Sequence, residues 1–401
     1  MSGPLAGLRV LDLTTVMYGP YCTQLMGDYG ADVVKVEPPG GDISRQVGPR
    51  RNEGMAAGIL TKARNKRSLV LDLKQPAGRE ALYRLARTAD VFIHNMRPKP
   101  AARLGIDYEA VSEHRPDIVY CTAVGFGKDG PYADKPAYDD LIQGVSGLAW
   151  LEGAQTGGAP RYAPSVLADK TSGLFALFSI LMALHHRART GEGQEIHCGM
   201  FECFASFVMN EHQQGRVFDP PLGPAGYERL LTPWRRPHET ADGHLCVLPY
   251  NDRHWRRFFG IAGRPELAED ERFASMTARS RNIEALYRIL ADIMRGRTTA
   301  DWLEELEGAD IPCMPMHSPE TLFDDPHLQA VDFFQTFDHP SEGRLVHMRP
   351  PVSFSRTPGS IRLQAPQAGQ HSEDVLREAG LEAAEIRALV EAGVTATARE
   401  P

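Results

Sequence analysis

Cysteine is scarce in this sequence and widely scattered. Six cysteines are spread over 401 residues, and no two of them form a C-x-x-C pair. A disulfide scaffold has a far higher cysteine density, and zinc sites space their ligands in recognisable patterns. His197, Cys198 and Cys203 lie close together, but their spacing matches no zinc pattern. We therefore expect reduced thiols and no bound metal.

Long hydrophobic runs and an excess of positive charge are also missing. The apolar run at residues 174–184 has about half the length that a bilayer requires, and residues 1–14 lack the basic and apolar regions of an export signal. Lysine and arginine total 44 against 52 acidic residues, for a net charge of −8. Nucleic-acid-binding proteins usually carry a basic excess. We expect a cytoplasmic protein that binds neither membranes nor nucleic acid.

The first 130 residues alternate short β-branched segments with helix-like segments. The composition, 42% hydrophobic and 24% charged, is ordinary for a globular protein with a sizeable core. Such alternation predicts an α/β fold with a mostly parallel sheet and helices on its faces. The predicted strands are residues 8–14, 32–37, 68–73, 90–95 and 117–125, and a helix is predicted at 78–88.

A proline-rich passage that begins near residue 220 predicts a change of domain. The large domain is predicted to cover residues 1–219. A strand at 243–248 and helices at 252–261, 283–295 and 300–306 predict a smaller α/β domain over residues 220–330. A strand-like run at 344–354 and a helix at 372–379 predict that residues 331–401 return to the large domain.

Polar loops come after the predicted strands of the sheet, where ligands of open α/β sheets bind. They suit a polar, extended ligand. Basic residues concentrate in the same half of the chain and are either solvated surface groups or partners for phosphates. These residues are Arg45, Arg50, Arg51, Lys62, Arg64, Lys66, Arg67, Lys74, Arg97, Lys99 and Arg103.

A G-x-G-x-x-G spacing occurs at residues 125–130, after a predicted strand. In a dinucleotide-binding fingerprint these glycines open directly into a helix. Here Pro131 and Pro136 interrupt the next segment, and the first strand carries no such motif. The segment at 125–130 is therefore interpreted as a glycine-rich turn, which argues against a nicotinamide or flavin cofactor.

Asp169 comes shortly before a long apolar segment. Pro164 precedes it and the apolar run at 174–184 comes after it, so Asp169 is predicted to be the N-cap of a buried helix. A capping carboxylate accepts hydrogen bonds from the first backbone N–H groups and needs no other role. Alternatively, an ionised aspartate attacks an activated acyl group directly, and the same N–H groups stabilise the oxyanion. This segment alone leaves both interpretations open.

A series of short motifs runs almost from end to end of the chain. They are L-D-L-T at 11–14 with Gly19-Pro20, G-A-D-V-V-K-V-E-P at 30–38, N-K-R-S at 65–68, D-V-F-I-H-N at 90–95, G-P-Y at 130–132, A-Y-D at 137–139 and T-G-E-G-Q at 190–194. Together they resemble the family III CoA-transferases, which include formyl-CoA transferase, carnitine CoA-transferase and 2-methylacyl-CoA racemases. The resemblance implies that Asp169 is the catalytic nucleophile. It also implies that CoA is a substrate, with no permanently bound cofactor.

The resemblance implies a fold as well: an interlocked homodimer, with a Rossmann-like large domain and a smaller domain inserted into it. By position, eight residues match the family's CoA contacts: Val16, Met17, Leu71, Lys74, Asn95, Met96, Arg97 and Arg103. Pro38 stands where some members have an arginine for CoA, and Met17 replaces a glutamine of formyl-CoA transferase. The glycine-rich loop that covers that enzyme's site is not evident here, which argues against formate and oxalate as substrates.

Tyr138 distinguishes between the activities of this family. The racemases carry a histidine before the aspartate that corresponds to Asp139, and it moves the proton at C2 of the substrate. This chain has Tyr138 there, and a phenol is a poor proton acceptor at neutral pH. Tyr138 and Asp139 are predicted to lie near the site, although a hydrogen-bonded turn would explain them equally well.

The sequence therefore predicts an enzyme that transfers CoA from an acyl-CoA to a carboxylic acid through covalent intermediates on Asp169. An acyl-CoA racemase and a CoA-ester-binding protein without turnover are the alternatives. Four basic groups offer partners for a second carboxylate, so a dicarboxylate such as succinate or mesaconate is predicted as substrate. They are Arg161, Arg235, Arg236 and His238.

Overall fold

The computed structural model of the protein describes residues 3–398. The strands are β1 (Arg9–Leu13), β2 (Asp32–Glu37), β3 (Lys66–Val70), β4 (Val91–His94), β5 (Val119–Val124), β6 (Gln194–Gly199), β7 (His238–Glu239), β8 (His244–Val247), β9 (Cys313–Pro315), β10 (Phe334–His339) and β11 (Gly343–Met348). The α-helices are α1 (Tyr18–Asp28), α2 (Ala57–Leu60), α3 (Pro76–Ala86), α4 (Pro98–Leu104), α5 (Tyr108–Ser112), α6 (Asp139–Val145), α7 (Leu148–Thr156), α8 (Leu167–Thr190), α9 (Met200–His212), α10 (Glu228–Leu231), α11 (Asp252–Ile261), α12 (Met276–Arg281), α13 (Ile283–Met294), α14 (Thr299–Gly308), α15 (Pro326–Ala330), α16 (Ser372–Glu378) and α17 (Ala383–Glu391).

Six strands form one parallel sheet in the order β3-β2-β1-β4-β5-β6. The prediction of an α/β fold with a parallel sheet is confirmed. Every residue of β5 is buried, as expected for a sheet that is covered on both faces. The sequence pattern does not predict β6, because it is an edge strand whose first residues, Gln194 and Glu195, are exposed.

The core of the sheet includes the C-terminal helices. Leu82 and Leu85 of α3 pack in one buried cluster with Phe92 of β4, Leu376 of α16 and Ile386 of α17. Close packing of these side chains joins the two ends of the chain in one hydrophobic core. The predicted strand at 344–354 is shorter than expected: β11 pairs with β10 in an antiparallel hairpin, outside the parallel sheet.

Contacts within the chain group it into two compact units. The first comprises residues 1–146, 163–207 and 329–401, and the second comprises 147–162 and 208–328. The second unit thus takes in residues 147–162 and 208–219, which the predicted boundaries assign to the large domain. It contains the antiparallel sheet β7-β8-β9 and a core with Trp255, Phe258, Leu286 and Trp302 at its centre.

Several basic residues predicted to be surface groups or phosphate partners are in fact members of buried ion pairs. Lys66 lies 2.9 Å from Asp12, Arg45 lies 2.6 Å from Glu37, and Arg64 lies 2.7 Å from Asp28. Both predicted roles are wrong for these three residues. A buried cation requires a partner of opposite charge. Asp12 and Asp28 are distant in sequence from Lys66 and Arg64, whereas Glu37 is eight residues from Arg45.

Candidate active site

Asp169 lies in the first turn of α8 but does not cap it. The helix begins at Leu167, its N-cap is Val166, and the N-cap side chain makes no capping hydrogen bond. The N-cap prediction for Asp169 is therefore wrong, because the helix starts three residues earlier than that prediction places it. Among the described residues, no side-chain hydrogen bond or ion pair involves the Asp169 carboxylate, although the residue is only 8% exposed.

Asp139, the first residue of α6, holds the backbone of Asp169. Its Oδ1 accepts a hydrogen bond of 2.9 Å from the Asp169 N–H, and its Oδ2 accepts one of 2.6 Å from Gln143 Nε2. The Oε1 of Gln143 in turn accepts the N–H of Ala163. This network joins the start of α8 to α6. The structure therefore gives Asp139 a hydrogen-bonded role beside the predicted nucleophile.

Burial raises the pKa of Asp169 to about 7, with a further contribution from the nearby Asp139 charge; the positive charge of Lys62 opposes both. A carboxylate loses solvation when it is buried, and a like charge disfavours its ionised form. Asp169 is therefore harder to ionise near neutral pH than the freely ionised aspartate that the sequence leads one to expect.

A cavity of about 380 Å³ opens in front of Asp169. Tyr138, Val16 and Met200 are among its lining residues, together with Asn95, Met96 and Arg97 from the loop after β4. The cavity thus lies beyond the carboxyl ends of β1, β4 and β5, which is the edge of the sheet that the sequence predicts. Tyr138 is 67% exposed, so its phenol is accessible.

A second cavity of about 200 Å³ adjoins the first and shares Thr15, Asn95 and Met96 with it. Most of its walls are apolar, supplied by Leu13, Val36, Leu71, Leu73 and Leu104, and Lys74 stands at the lining as well. The two cavities are therefore neighbours: one has mostly apolar walls, and the Asp169 carboxylate lines the other. Two neighbouring cavities of this kind suit a long ligand with an apolar part and a reactive end.

Six of the eight predicted CoA contacts line these cavities. Val16, Asn95, Met96 and Arg97 line the first, and Leu71 and Lys74 line the second. Met17 is the N-cap of α1 and Arg103 lies in the last turn of α4; neither lines these two cavities. The CoA-binding roles of all eight residues stay predictions.

The turn before α1 has a strained backbone. Val16 has φ = +72°, which is unfavourable for a β-branched residue. Asn95 makes two hydrogen bonds to the backbone of Thr15, the residue before Val16. Its Oδ1 accepts the Thr15 N–H at 3.1 Å, and its Nδ2 donates to the Thr15 carbonyl at 2.9 Å. Ser44 Oγ donates to the Val16 carbonyl at 3.3 Å. These contacts hold a conformation that exposes the start of α1 to the cavity.

Gly173 allows α1 and α8 to approach closely. A Cβ atom at this position would lie 2.9 Å from the Tyr18 carbonyl oxygen, closer than real Cβ contacts allow. The approach brings the N-terminal end of α1 next to the first turns of α8. The N–H groups of Val16, Met17, Tyr18 and Gly19 have no acceptor among the described residues. Val16 and Tyr18 also line the cavity in front of Asp169, and free backbone N–H groups of this kind are able to bind an anion.

The sequence profile of the family named CoA-transferase family III matches residues 5–372. The chain belongs to this family. It is 34% identical over 383 residues to a succinate–glutarate CoA-transferase of Agrobacterium fabrum, covering 94% of this chain and 95% of that protein. It is 33% identical to a succinyl-CoA:mesaconate CoA-transferase of Haloarcula hispanica, with 94% and 97% covered. The resemblance found in the sequence motifs is confirmed.

Solved structures of similar proteins share the fold. A CAIB/BAIF family protein from Brucella suis superimposes with a TM-score of 0.80 at 32% identity, covering 94% of this chain and all of that one. The protein Rv3272 from Mycobacterium tuberculosis has a TM-score of 0.80 at 27% identity, with 93% and 99% covered. The family and its named relatives, with which the shared fold agrees, make this protein an enzyme of the CoA-transferase class, whose members use CoA thioesters as substrates.

Two residues of this candidate site escape prediction from the sequence. They are Lys135 and Pro136, which line the first cavity, and the only signal for them is their position just before Tyr138. Thr15 borders both cavities and belongs to a polar loop in which the sequence predicts ligand binding. Within residues 3–398, no group of His, Cys, Asp or Glu side chains is arranged to hold a metal ion.

Proposed function

We propose that this enzyme transfers CoA from a dicarboxylic acyl-CoA, such as succinyl-CoA, to a second carboxylic acid through covalent intermediates on Asp169. The observation that carries the proposal is the Asp169 carboxylate itself. It is buried, has no side-chain partner among the described residues, and lines a cavity that adjoins a mostly apolar one. A structural carboxylate at this depth normally has a hydrogen-bonding or ionic partner.

The first half of the reaction transfers CoA to the enzyme. An Asp169 oxygen attacks the thioester carbonyl carbon, the C–S bond breaks, and CoA leaves as its thiolate, which gives a mixed anhydride. The thiolate sulfur then attacks the Asp169 carbonyl carbon. The donor acid leaves as a carboxylate, and Asp169 holds CoA as a thioester.

The second half repeats these steps with the acceptor. Its carboxylate attacks the aspartyl-CoA thioester and releases the thiolate, which forms a second anhydride. The thiolate then attacks the acyl carbon of the acceptor, and Asp169 returns to its carboxylate form. No net proton is consumed or released. The N–H groups at the start of α1 are suited to stabilise the tetrahedral oxyanions.

The names of the relatives support dicarboxylates as substrates, since those names specify succinyl-CoA, glutarate and mesaconate. Arg97 and Lys135 line the cavity in front of Asp169 and are positioned to meet a second carboxylate. His238 is an unsuitable partner, because burial and the nearby Arg236 charge lower its pKa to about 4 and leave it neutral at pH 7. Arg235 and Arg236 line a cavity of the second unit, and their role, like that of Arg161, stays a prediction.

An interlocked homodimer forms part of the same proposal. α8 is 24 residues long and is apolar enough, by length and composition alone, to cross a membrane. It packs against α1, α6, β5 and β6 in the first unit. Leu174, Phe178 and Met182, spaced at four-residue intervals, remain exposed on it. This apolar stripe supports contact with a second copy of the chain.

The proposal is tested by trapping the covalent intermediates. The purified enzyme is mixed with succinyl-CoA, glutaryl-CoA and monocarboxylic acyl-CoAs, quenched with hydroxylamine, and digested. We expect a hydroxamate on Asp169 that depends on a dicarboxylic acyl-CoA, and none in an Asp169→Asn variant. CoA esters that bind without hydroxamate formation would contradict the proposal. Exchange of the C2 proton of a 2-methylacyl-CoA in deuterated water would then indicate the racemase instead.

A further inference from the structure

Lys62 is a buried cation without an acidic partner in the described part of the chain. The residue is 8% exposed, and among the described residues its ammonium makes one hydrogen bond, of 3.2 Å, to Ser44 Oγ. No carboxylate of residues 3–398 lies within ion-pair distance of it. Burial lowers its pKa, because an ammonium loses solvation when it is buried.

Other buried cations of the first unit differ from Lys62 in this respect. Lys35 lies 2.7 Å from Asp42, and Lys66 lies 2.9 Å from Asp12. Arg45 and Arg64 have equally close carboxylate partners. Burying a charge without a partner is costly, so an unpaired buried lysine requires an explanation beyond stability.

Asp169 is the complementary case. It is a buried carboxylate that lacks a side-chain partner among the described residues, and the charges of Lys62 and Asp169 act on each other. Two hydrogen bonds connect Lys62 to the lining of the cavity. The Lys62 ammonium donates to Ser44 Oγ, and Ser44 Oγ donates to the carbonyl of Val16. Val16 and Asp169 both line the cavity in front of α8.

We propose that Lys62 is a positioning residue, which supplies the counter-charge for the negative charge of the active site throughout the transfer cycle. The inference rests on the proposed function. In that cycle one negative charge moves from the Asp169 carboxylate to the tetrahedral oxyanion and then to the CoA sulfur, and it never leaves the site. A fixed positive charge behind the cavity wall stabilises each of these states without having to move.

Other charges modulate this pair. Asp139 of α6 acts on Asp169, whereas Asp42, Lys35 and Lys66 act on Lys62. Tyr18 of α1 and the loop residues Arg97, Lys135 and Tyr138 also line the cavity. The positive charge of Lys62 opposes the effect of burial on the pKa of Asp169. Removal of that charge is therefore expected to raise the pKa of Asp169.

The test compares Lys62→Met, which removes the charge, with Lys62→Arg, which keeps it. Lys128→Met serves as a control, because Lys128 is half exposed and pairs with Glu195 at 3.0 Å. The rate of CoA release in the first turnover is measured against pH. We expect the acid limb to move up by about one pH unit in Lys62→Met, with a roughly tenfold lower rate at pH 6.5. In Lys62→Arg and Lys128→Met, the acid limb of the rate should lie at the same pH as in the wild type.

A second measurement does not require turnover. Infrared titration follows the protonated carboxyl band of Asp169, with Asp169→Asn as the blank, in wild type and Lys62→Met. We expect its midpoint to rise in Lys62→Met even if no acyl-CoA tested is a substrate, so failure of this inference and failure of the proposed function are distinguishable. An unchanged midpoint would overturn the inference. If Lys62→Met does not fold, Ser44→Ala decides in its place: it should shift the midpoint in the same direction by a smaller amount, and no shift would overturn the inference.

Discussion

The backbone N–H of Asp169 donates a 2.9 Å hydrogen bond to the Oδ1 of Asp139, so two buried carboxylates meet at the start of α8. Asp139 is 5% exposed and Asp169 is 8% exposed. One carboxylate thus fixes the position of the other and, through its charge, disfavours the ionised form that attack on a thioester requires. Asp139 therefore has two effects on the predicted nucleophile: its hydrogen bond orients Asp169, and its negative charge makes the Asp169 carboxyl harder to ionise.

The first prediction concerns the pH dependence of the wild-type enzyme. Since the pKa of Asp169 is raised to about 7, the ionised nucleophile is lost as pH falls through that value. The rate of enzyme acylation should rise with pH, level off above about pH 8, and fall about tenfold per unit below about pH 6. Stopped-flow measurement of CoA release checks this. A rate that is flat from about pH 5 to 8 would mean that Asp169 stays ionised at acid pH.

The second prediction concerns the Asp169→Asn variant. A folded-state pKa near 7 against an unfolded value near 4 means that the folded protein binds more protons between these pH values. The stability contributed by protonated Asp169 is full below about pH 4 and is lost as pH rises through about 7. Asp169→Asn removes this loss, so at pH 8 it should be more stable than wild type by about 2–4 kcal/mol, yet inactive.

Urea denaturation at pH 4.5 and pH 8 measures the stability difference between wild type and Asp169→Asn. The difference should grow with pH, because wild type alone carries a buried carboxylate at this position that ionises in this interval. If the two proteins show the same difference at both values, burial does not perturb Asp169 as the structure indicates.

The third prediction concerns Asp139. In Asp139→Asn the amide oxygen still accepts the Asp169 N–H, but the amide NH2 cannot accept from Gln143 Nε2, and the like charge is gone. The acid limb of the acylation rate should therefore move down by about one pH unit. Asp139→Ala should shift the acid limb similarly, but it should also lose the hydrogen bond to the Asp169 N–H, at a further cost of about 1–3 kcal/mol in unfolding free energy. Equal stability of the two variants, or an unmoved acid limb in both, would contradict this division of roles.

The fourth prediction concerns the predicted CoA contact at Lys74. Its side chain lies at the apolar cavity lined by Leu71 and Leu104. Lys74→Ala should raise the KM for acyl-CoA about threefold to tenfold, the effect of losing one accessible charge contact, and leave the KM for the acceptor acid unchanged. Raised salt should narrow the difference from wild type. If the KM rises for the acceptor acid instead, Lys74 contacts the acceptor and not CoA.

Strands and helices of this protein are well predicted where local pattern and burial agree. β2 and α11 have the predicted limits, because a β-branched run and an amphipathic helix each carry their own periodicity. β3 begins at Lys66 rather than Ser68. Lys66 is charged and looks like a loop residue, but the buried Asp12 neutralises it, and Asp12 is 54 residues away in the chain.

For Asp169, too, some properties are visible in the sequence and others depend on the tertiary structure. The residue and its helix are visible in the sequence, and the family motifs indicate its role. Its relation to Asp139, its raised pKa and the opposing charge of Lys62 depend on residues that lie far away in the chain, and no periodicity encodes such distances.

The sequence by itself determined the fold class, the edge of the sheet at which the site lies, and the family. These follow from hydrophobic periodicity and from short motifs, which are local properties of the chain. Only the tertiary structure decided which basic residues form buried ion pairs, that Asp169 is not a helix cap, and that Lys62 lacks an acidic partner within residues 3–398. The reason is physical: solvation, ionisation and pairing depend on distances in space, and those are established only when remote segments pack together.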